Sequence, residues 1–70
     1  MAIKYGTEIK GTITNINNGN LEIYETDKKI FMVLPYKTIQ VLRGAKVDDN
    51  VRVVYDNKTK FIRCVIVLTH

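Results

Sequence analysis

The chain is predicted to be all-β: a small barrel of five antiparallel strands, with a short helical or irregular plug between the third and fourth. Three observations predict it. Apolar and polar residues alternate with a period of two along most of the apolar stretches. Turn-forming clusters (Asn17-Asn18-Gly19, Thr26-Asp27-Lys28-Lys29, Asp48-Asp49-Asn50, Asp56-Asn57-Lys58) punctuate these stretches at short intervals. Finally, 70 residues carry apolar side chains for one core only, so residues 1–70 are expected to form a single domain.

The segment Leu21 to Leu34 sets the register. Leu21 and Ile23 alternate with Glu22 and Tyr24, and Ile30, Met32 and Leu34 alternate with Phe31 and Val33. Pairing Glu25 with Ile30 around a four-residue turn puts Ile23 opposite Met32 and Leu21 opposite Leu34. Tyr24 then faces Phe31 on the other side of the hairpin. A slip by one residue would send one aliphatic set to solvent, which disfavours it.

The remaining elements follow in order. Residues 1–5 form a lead-in. The first strand spans about Thr7 to Ile16, with Ile9, Gly11 and Ile13 inward; the mid-strand Gly11 permits a bend or a close backbone approach. Pairing Ile13 with Ile23 leaves a three-residue loop, Asn17 to Gly19. Pro35 ends the third strand, because it has no N–H for a ladder. Thr38 to Gly44 reads as one or two helical turns, with Thr38 as cap and Gly44 at the C-terminal end; a 3₁₀ turn or a short strand is the alternative. Val41 or Leu42, with Val47, should plug the core. The fourth strand is Val51 to Tyr55, with Val51 and Val53 inward and Arg52 outward. The fifth is Phe61 to Leu68, with Ile62, Cys64, Ile66 and Leu68 inward and Phe61, Arg63, Val65 and Val67 outward. Ile9, Ile13, Ile23, Met32, Val53, Cys64 and Ile66 are expected in one core.

Charge points to a polyanion. The net charge is +4, and the excess lies in the second half, where seven basic residues meet three acidic ones, against four and four in residues 1–35. The bland alternative is a Lys- and Asn-rich surface that keeps a small domain soluble. One cysteine allows no internal disulfide, and one histidine with scattered carboxylates assembles neither a metal site nor a nucleophile–base pair. The expectation is a non-enzyme without cofactor. The opening residues hold no apolar signal region and no run reaches transmembrane length, so a cytoplasmic location and no membrane partner are expected.

The order of elements resembles an OB-fold, and more closely the small RNA-binding barrels of the S1 type, a group that includes bacterial translation initiation factor one. Two segments carry the resemblance over roughly residues 8–56. Gly11-Thr12-Ile13-Thr14-Asn15-Ile16 is similar to the glycine-x-aliphatic-x-x-aliphatic start of the S1 pattern. Val47-Asp48-Asp49-Asn50-Val51-Arg52-Val53 resembles its glycine-aspartate-x-valine-x-valine step. Asp48 stands where that pattern has glycine. The aromatic after the first hairpin loop and the histidine-containing plug segment are absent, so base-stacking positions are not transferred from the family. An SH3-like barrel is the alternative fold.

The resemblance implies a nucleic-acid-binding module for single strands, RNA favoured over DNA. From the residues themselves, the candidate interface is Tyr24 and Phe31 as a stacking pair, with Arg52 and Lys10 on nearby strands and Lys37, Lys60 and Arg63 around them. The competing reading makes Tyr24 and Phe31 an ordinary cross-strand pair that only stabilises the sheet. A second function class is a protein-binding barrel, an accessory subunit or inhibitor, docking through its strand 5 or its strand 2–3 face, with self-association through the outer face of the fifth strand as a further option. There the plain alternative is that Ile3 and Tyr5 fold over that face.

Overall fold

A computed structural model describes residues 6–68. Five antiparallel strands form one sheet: β1 (Gly6–Asn17), β2 (Asn20–Glu25), β3 (Ile30–Pro35), β4 (Asn50–Asp56) and β5 (Ile62–Val67), in the order β3-β2-β1-β4-β5. A 3₁₀ helix, η1 (Ile39–Leu42), lies between β3 and β4. No helix among the described residues is long and apolar enough to cross a membrane.

The central hairpin has the register its alternation requires, with Leu21 opposite Leu34, Ile23 opposite Met32, Tyr24 opposite Phe31 and Glu25 opposite Ile30. β1 is the long strand that joins two halves. Gly11 to Asn17 pairs with β2, and Gly6 to Thr12 pairs with β4. All five strands send side chains to one cluster: Ile9, Ile13, Leu21, Ile23, Leu34, Val51, Val53, Tyr55, Ile62 and Val65 are buried there with Leu42 and Ala45. A flat single sheet cannot shield one whole face with so short a cover segment. The sheet must therefore coil around its own side chains, each contributing about 1.5–3 kcal/mol of burial. Gly11 makes that coil possible, because β2 passes so close that a Cβ there would stand 2.8 Å from Ile23 Cγ2 and closer still to the Tyr24 carbonyl oxygen.

The ladder does not close into a complete barrel as expected: β3 and β5 remain the two edges of the sheet. Pro35 ends β3 without a donor, and the chain then leaves the sheet to pack η1 against β5. Tyr36 fastens this departure to the β1–β2 turn: its N–H donates to the Gly19 carbonyl and its hydroxyl to the Asn17 carbonyl.

Further corrections are local. A bulge at Thr14 shifts the register between Ile13 and Asn15, so Asn17 pairs with Asn20 and the turn shrinks to Asn18-Gly19, with Gly19 at φ 94°. The bulge also lets Ile16 pack on the core three positions after Ile13. Thr38 precedes η1 but makes no side-chain cap. Leu42 plugs the core as expected, whereas Val47 is exposed and the smaller Ala45 is buried in its place. Asp48 takes φ 81°, and its N–H donates to the Ile13 carbonyl, prolonging the β1–β4 contact.

The largest correction concerns β5. Val54 pairs with Cys64 but Tyr55 pairs with Ile62, which leaves Arg63 as an extra residue. This bulge reverses the inward phase beyond Ile62. Val65 is fully buried and Val67 packs on the core, while Ile66 and Leu68 are exposed and Cys64 is half-buried on the outer side. The expected core positions Cys64, Ile66 and Leu68 are thus wrong, as is the outward assignment of Val65 and Val67. The lead-in at residues 1–5, including Ile3 and Tyr5, lies outside the described residues.

Arg63 leans from the bulge to Asp56, whose Oδ2 it reaches at 3.0 Å. Asp56 Oδ1 accepts the N–H groups of Lys58 and Thr59 at 2.8 and 2.9 Å, building the β4–β5 turn. The Thr59 N–H, the Arg63 guanidinium and the Lys58 N–H together hold the Asp56 carboxyl well below the usual carboxylate range. A carboxyl depressed on folding stabilises the fold above its unfolded pKa and loses that contribution as pH falls toward its folded value. Melting temperature measured from about pH 5 down to about pH 2 should therefore fall less steeply for Asp56→Asn than for the parent. Parallel curves would show that the turn does not depend on this charge.

Candidate nucleic-acid interface

The outer face of the sheet holds the candidate site. Because Leu21, Ile23 and Leu34 point to the core, Tyr24 and Phe31 share the opposite side. Their ring centroids are 5.0 Å apart with planes at 63°, an edge-to-face contact. Such a pair contributes about 0.5–1.5 kcal/mol beyond its buried area. Yet Phe31 is 62% exposed on an edge strand, so one aromatic ring stays largely in water.

The ladder continues this row. Thr12 pairs with Tyr24 on one side and with Asn50 on the other. The Thr12 hydroxyl donates to Asn50 Oδ1 at 2.8 Å. One step along β1, Lys10 pairs directly with Arg52 of β4, on the same outer face. Two cations facing each other across a ladder repel. Glu8 relieves this, its carboxylate lying 2.6 Å from Arg52 Nε. Arg52 is thus already ion-paired with Glu8, whereas Lys10 makes no salt bridge among the described residues.

Tyr24, Phe31, Lys10 and Arg52 are therefore brought onto one surface. Lys37, Lys60 and Arg63 are not. Lys37 follows Pro35 at the far end of the hairpin from Phe31, and its ammonium sits 5.2 Å from the centre of the Phe61 ring. It bridges the two edges of the sheet instead of rimming the aromatic pair. Lys60 lies in the β4–β5 turn with its ammonium 5.8 Å from the Tyr55 ring. Arg63 is held by Asp56 at the bulge. Flexible cations near an exposed ring or carboxylate take the local partner, which sequence position alone does not reveal.

Sequence reasoning missed other members. Lys28 and Lys29 are exposed at the tip of the β2–β3 hairpin, and this tip touches Lys10 through a hydrogen bond from the Thr26 N–H to the Lys10 carbonyl. Glu8, Thr12 and Asn50 complete the face. Their signal was outward parity on β1 and β4, readable once these strands are known to be neighbours. Glu25 is unusual: it is buried with 4% exposure beside Gly11, and its Oε1 has no hydrogen-bond partner.

The fold and this face define a small all-β module that presents an aromatic pair and a set of cations on one side of a coiled five-stranded sheet. No family model, curated protein or solved structure matches the chain.

Proposed function

We propose that the protein binds single-stranded nucleic acid across the outer face of β1–β4, with RNA favoured over DNA. The observation that carries this reading is the Tyr24–Phe31 pair, one ring of which lies open to solvent in a row flanked by Lys10, Lys28 and Lys29. Bases stack on such rings whatever their sequence, and cations beside them follow the phosphates. The strand order adds support: a five-stranded, partly open coiled sheet is like that of OB-folds, which bind oligonucleotides on their strand 2–3 face. Asp48 at φ 81° adds more, since it takes the backbone conformation for which the S1 pattern uses glycine. A cytoplasmic setting belongs to the same proposal.

The test is a fluorescence anisotropy titration with mixed-sequence single strands at two salt concentrations. Tyr24→Ala and Phe31→Ala should each weaken all sequences by about 1–3 kcal/mol. Lys10→Ala should reduce the salt slope by somewhat less than one unit, and Arg52→Ala by less than that, because Glu8 already pairs it. Absence of binding to any oligonucleotide at low salt would overturn the proposal. The exposed Phe31 and Val33 on the β3 edge would then mark a protein interface, where aromatic anchors also concentrate.

A further inference from the structure

Beside the aromatic row lies an open cavity of about 220 Å³, lined by Lys10, Gly11, Thr26, Asp27, Asn50, Val51 and Leu68. It forms where β1 changes partners. The ladders to β4 (Gly6 to Thr12) and to β2 (Gly11 to Asn17) overlap at Gly11 and Thr12, and the hairpin turn at Thr26–Asp27 overhangs this junction. The volume is less than the roughly 300–1,000 Å³ of pockets for drug-sized ligands, and suits a single planar ring system.

Its walls differ in chemistry. Leu68, 41% exposed, offers the apolar surface, and the fully buried Val51 closes the cavity behind it. Lys10 supplies a cation, and Asp27 an exposed carboxylate on the hairpin turn. Asn50 belongs both to the cavity and to the row Phe31–Tyr24–Thr12–Asn50, so the cavity continues the stacking surface. With strands about 4.8 Å apart, Asn50 lies about 10 Å from Tyr24 across β1.

We propose that this cavity is a second subsite of the same interface, receiving one nucleobase of a strand whose neighbouring base stacks on Tyr24 and Phe31. It rests on the single-strand reading above. Leu68 packs on the base, Lys10 meets the adjoining phosphate, and Asp27 reads the base edge. An ionised carboxylate only accepts hydrogen bonds. It therefore favours bases with an amino group, above all cytosine through N4, and disfavours thymine or uracil, whose exposed carbonyl oxygens it repels. The module would thus bind single strands generally but prefer amino-bearing bases at one position.

The experiment compares oligo(dC) with oligo(dT) on the parent protein and on Asp27→Asn, at one low salt concentration. The parent should bind oligo(dC) about 5-fold or more tightly than oligo(dT). Asp27→Asn removes a negative charge, so it should bind oligo(dT) more tightly than the parent does while the preference falls toward one. Asp27 lies on an exposed turn, and circular dichroism checks that the variant folds. Binding of both oligonucleotides with no preference, or a preference unchanged in Asp27→Asn, overturns the subsite and leaves the stacking surface standing. Failure of both to bind overturns the interface itself.

Discussion

Gly11→Ala is expected to abolish cooperative folding or to lower the melting temperature drastically, and Gly11→Val to do no better. The clash lies at Cβ itself, so the smallest side chain already incurs it. The obstructing atoms are mainly the Tyr24 carbonyl group, with its carbon 2.9 Å from the added Cβ, and backbone cannot rotate away as a side-chain end would. Relief requires β1 and β2 to separate at the point where the strand turns from one partner to the other. That separation would uncover Ile13 and Ile23, both completely buried. Damage of this kind belongs to the exceptional class above about 4 kcal/mol. A domain of this size has little more than that to lose, since small domains sit near the low end of the usual 5–15 kcal/mol. Gly6 supplies the internal comparison. A Cβ there meets Val54 Cγ1, a side-chain atom, at 3.3 Å and the Tyr55 carbonyl oxygen at an ordinary contact distance of 3.6 Å, so Gly6→Ala should be mild. Thermal melts of the three variants against the parent decide it. An unchanged melting temperature for Gly11→Ala would mean that the close approach of β1 and β2 is not a feature of the folded protein.

How much of this was legible in the sequence depends on whether apolar residues occupied one parity or both. The register of the β2–β3 hairpin was legible, because each strand alternates and a slip exposes a whole aliphatic set, but Ile30, read as part of that inward set, is 46% exposed beside the turn. The Tyr24–Phe31 pair followed from that parity alone. Lys10 and Arg52 were placed on the right face for the same reason, but their contact depends on β1 pairing with β4, a long-range fact that no local pattern encodes. Gly11 announced itself as an unfavourable mid-strand residue, and the structure supplies the reason in the backbone of β2. The Thr14 bulge left only the three-residue spacing of Ile13 and Ile16 as its trace. Cations were the least legible. Lys37, Lys60 and Arg63 sit where a nearby ring or carboxylate captures them, and their sequence neighbours do not name those partners. The cavity was not legible at all, since it is built from four separate segments.

Strand β5 shows the remaining ambiguity and provides the second large effect. From Phe61 to Leu68 every residue except Arg63 is apolar, so both phases look equally hydrophobic and the bulge is invisible in the sequence. The structure selects the phase in which Val65 is fully buried opposite Val53 and Ile66 points outward opposite Arg52. Val65→Asp should therefore destabilise by at least about 4 kcal/mol, combining the lost burial of the valine with an unpaired carboxylate inside the core. Ile66→Asp should stay within about 1 kcal/mol of the parent, since position 66 is 44% exposed and a carboxylate there faces a guanidinium across the ladder. The pair forms a parity test, because adjacent positions with the same substitution must give opposite results. Urea unfolding of both variants measures it. If Ile66→Asp proves the more damaging, β5 runs without its bulge, Cys64 returns to the core, and the Arg63–Asp56 contact that depends on that bulge is lost with it.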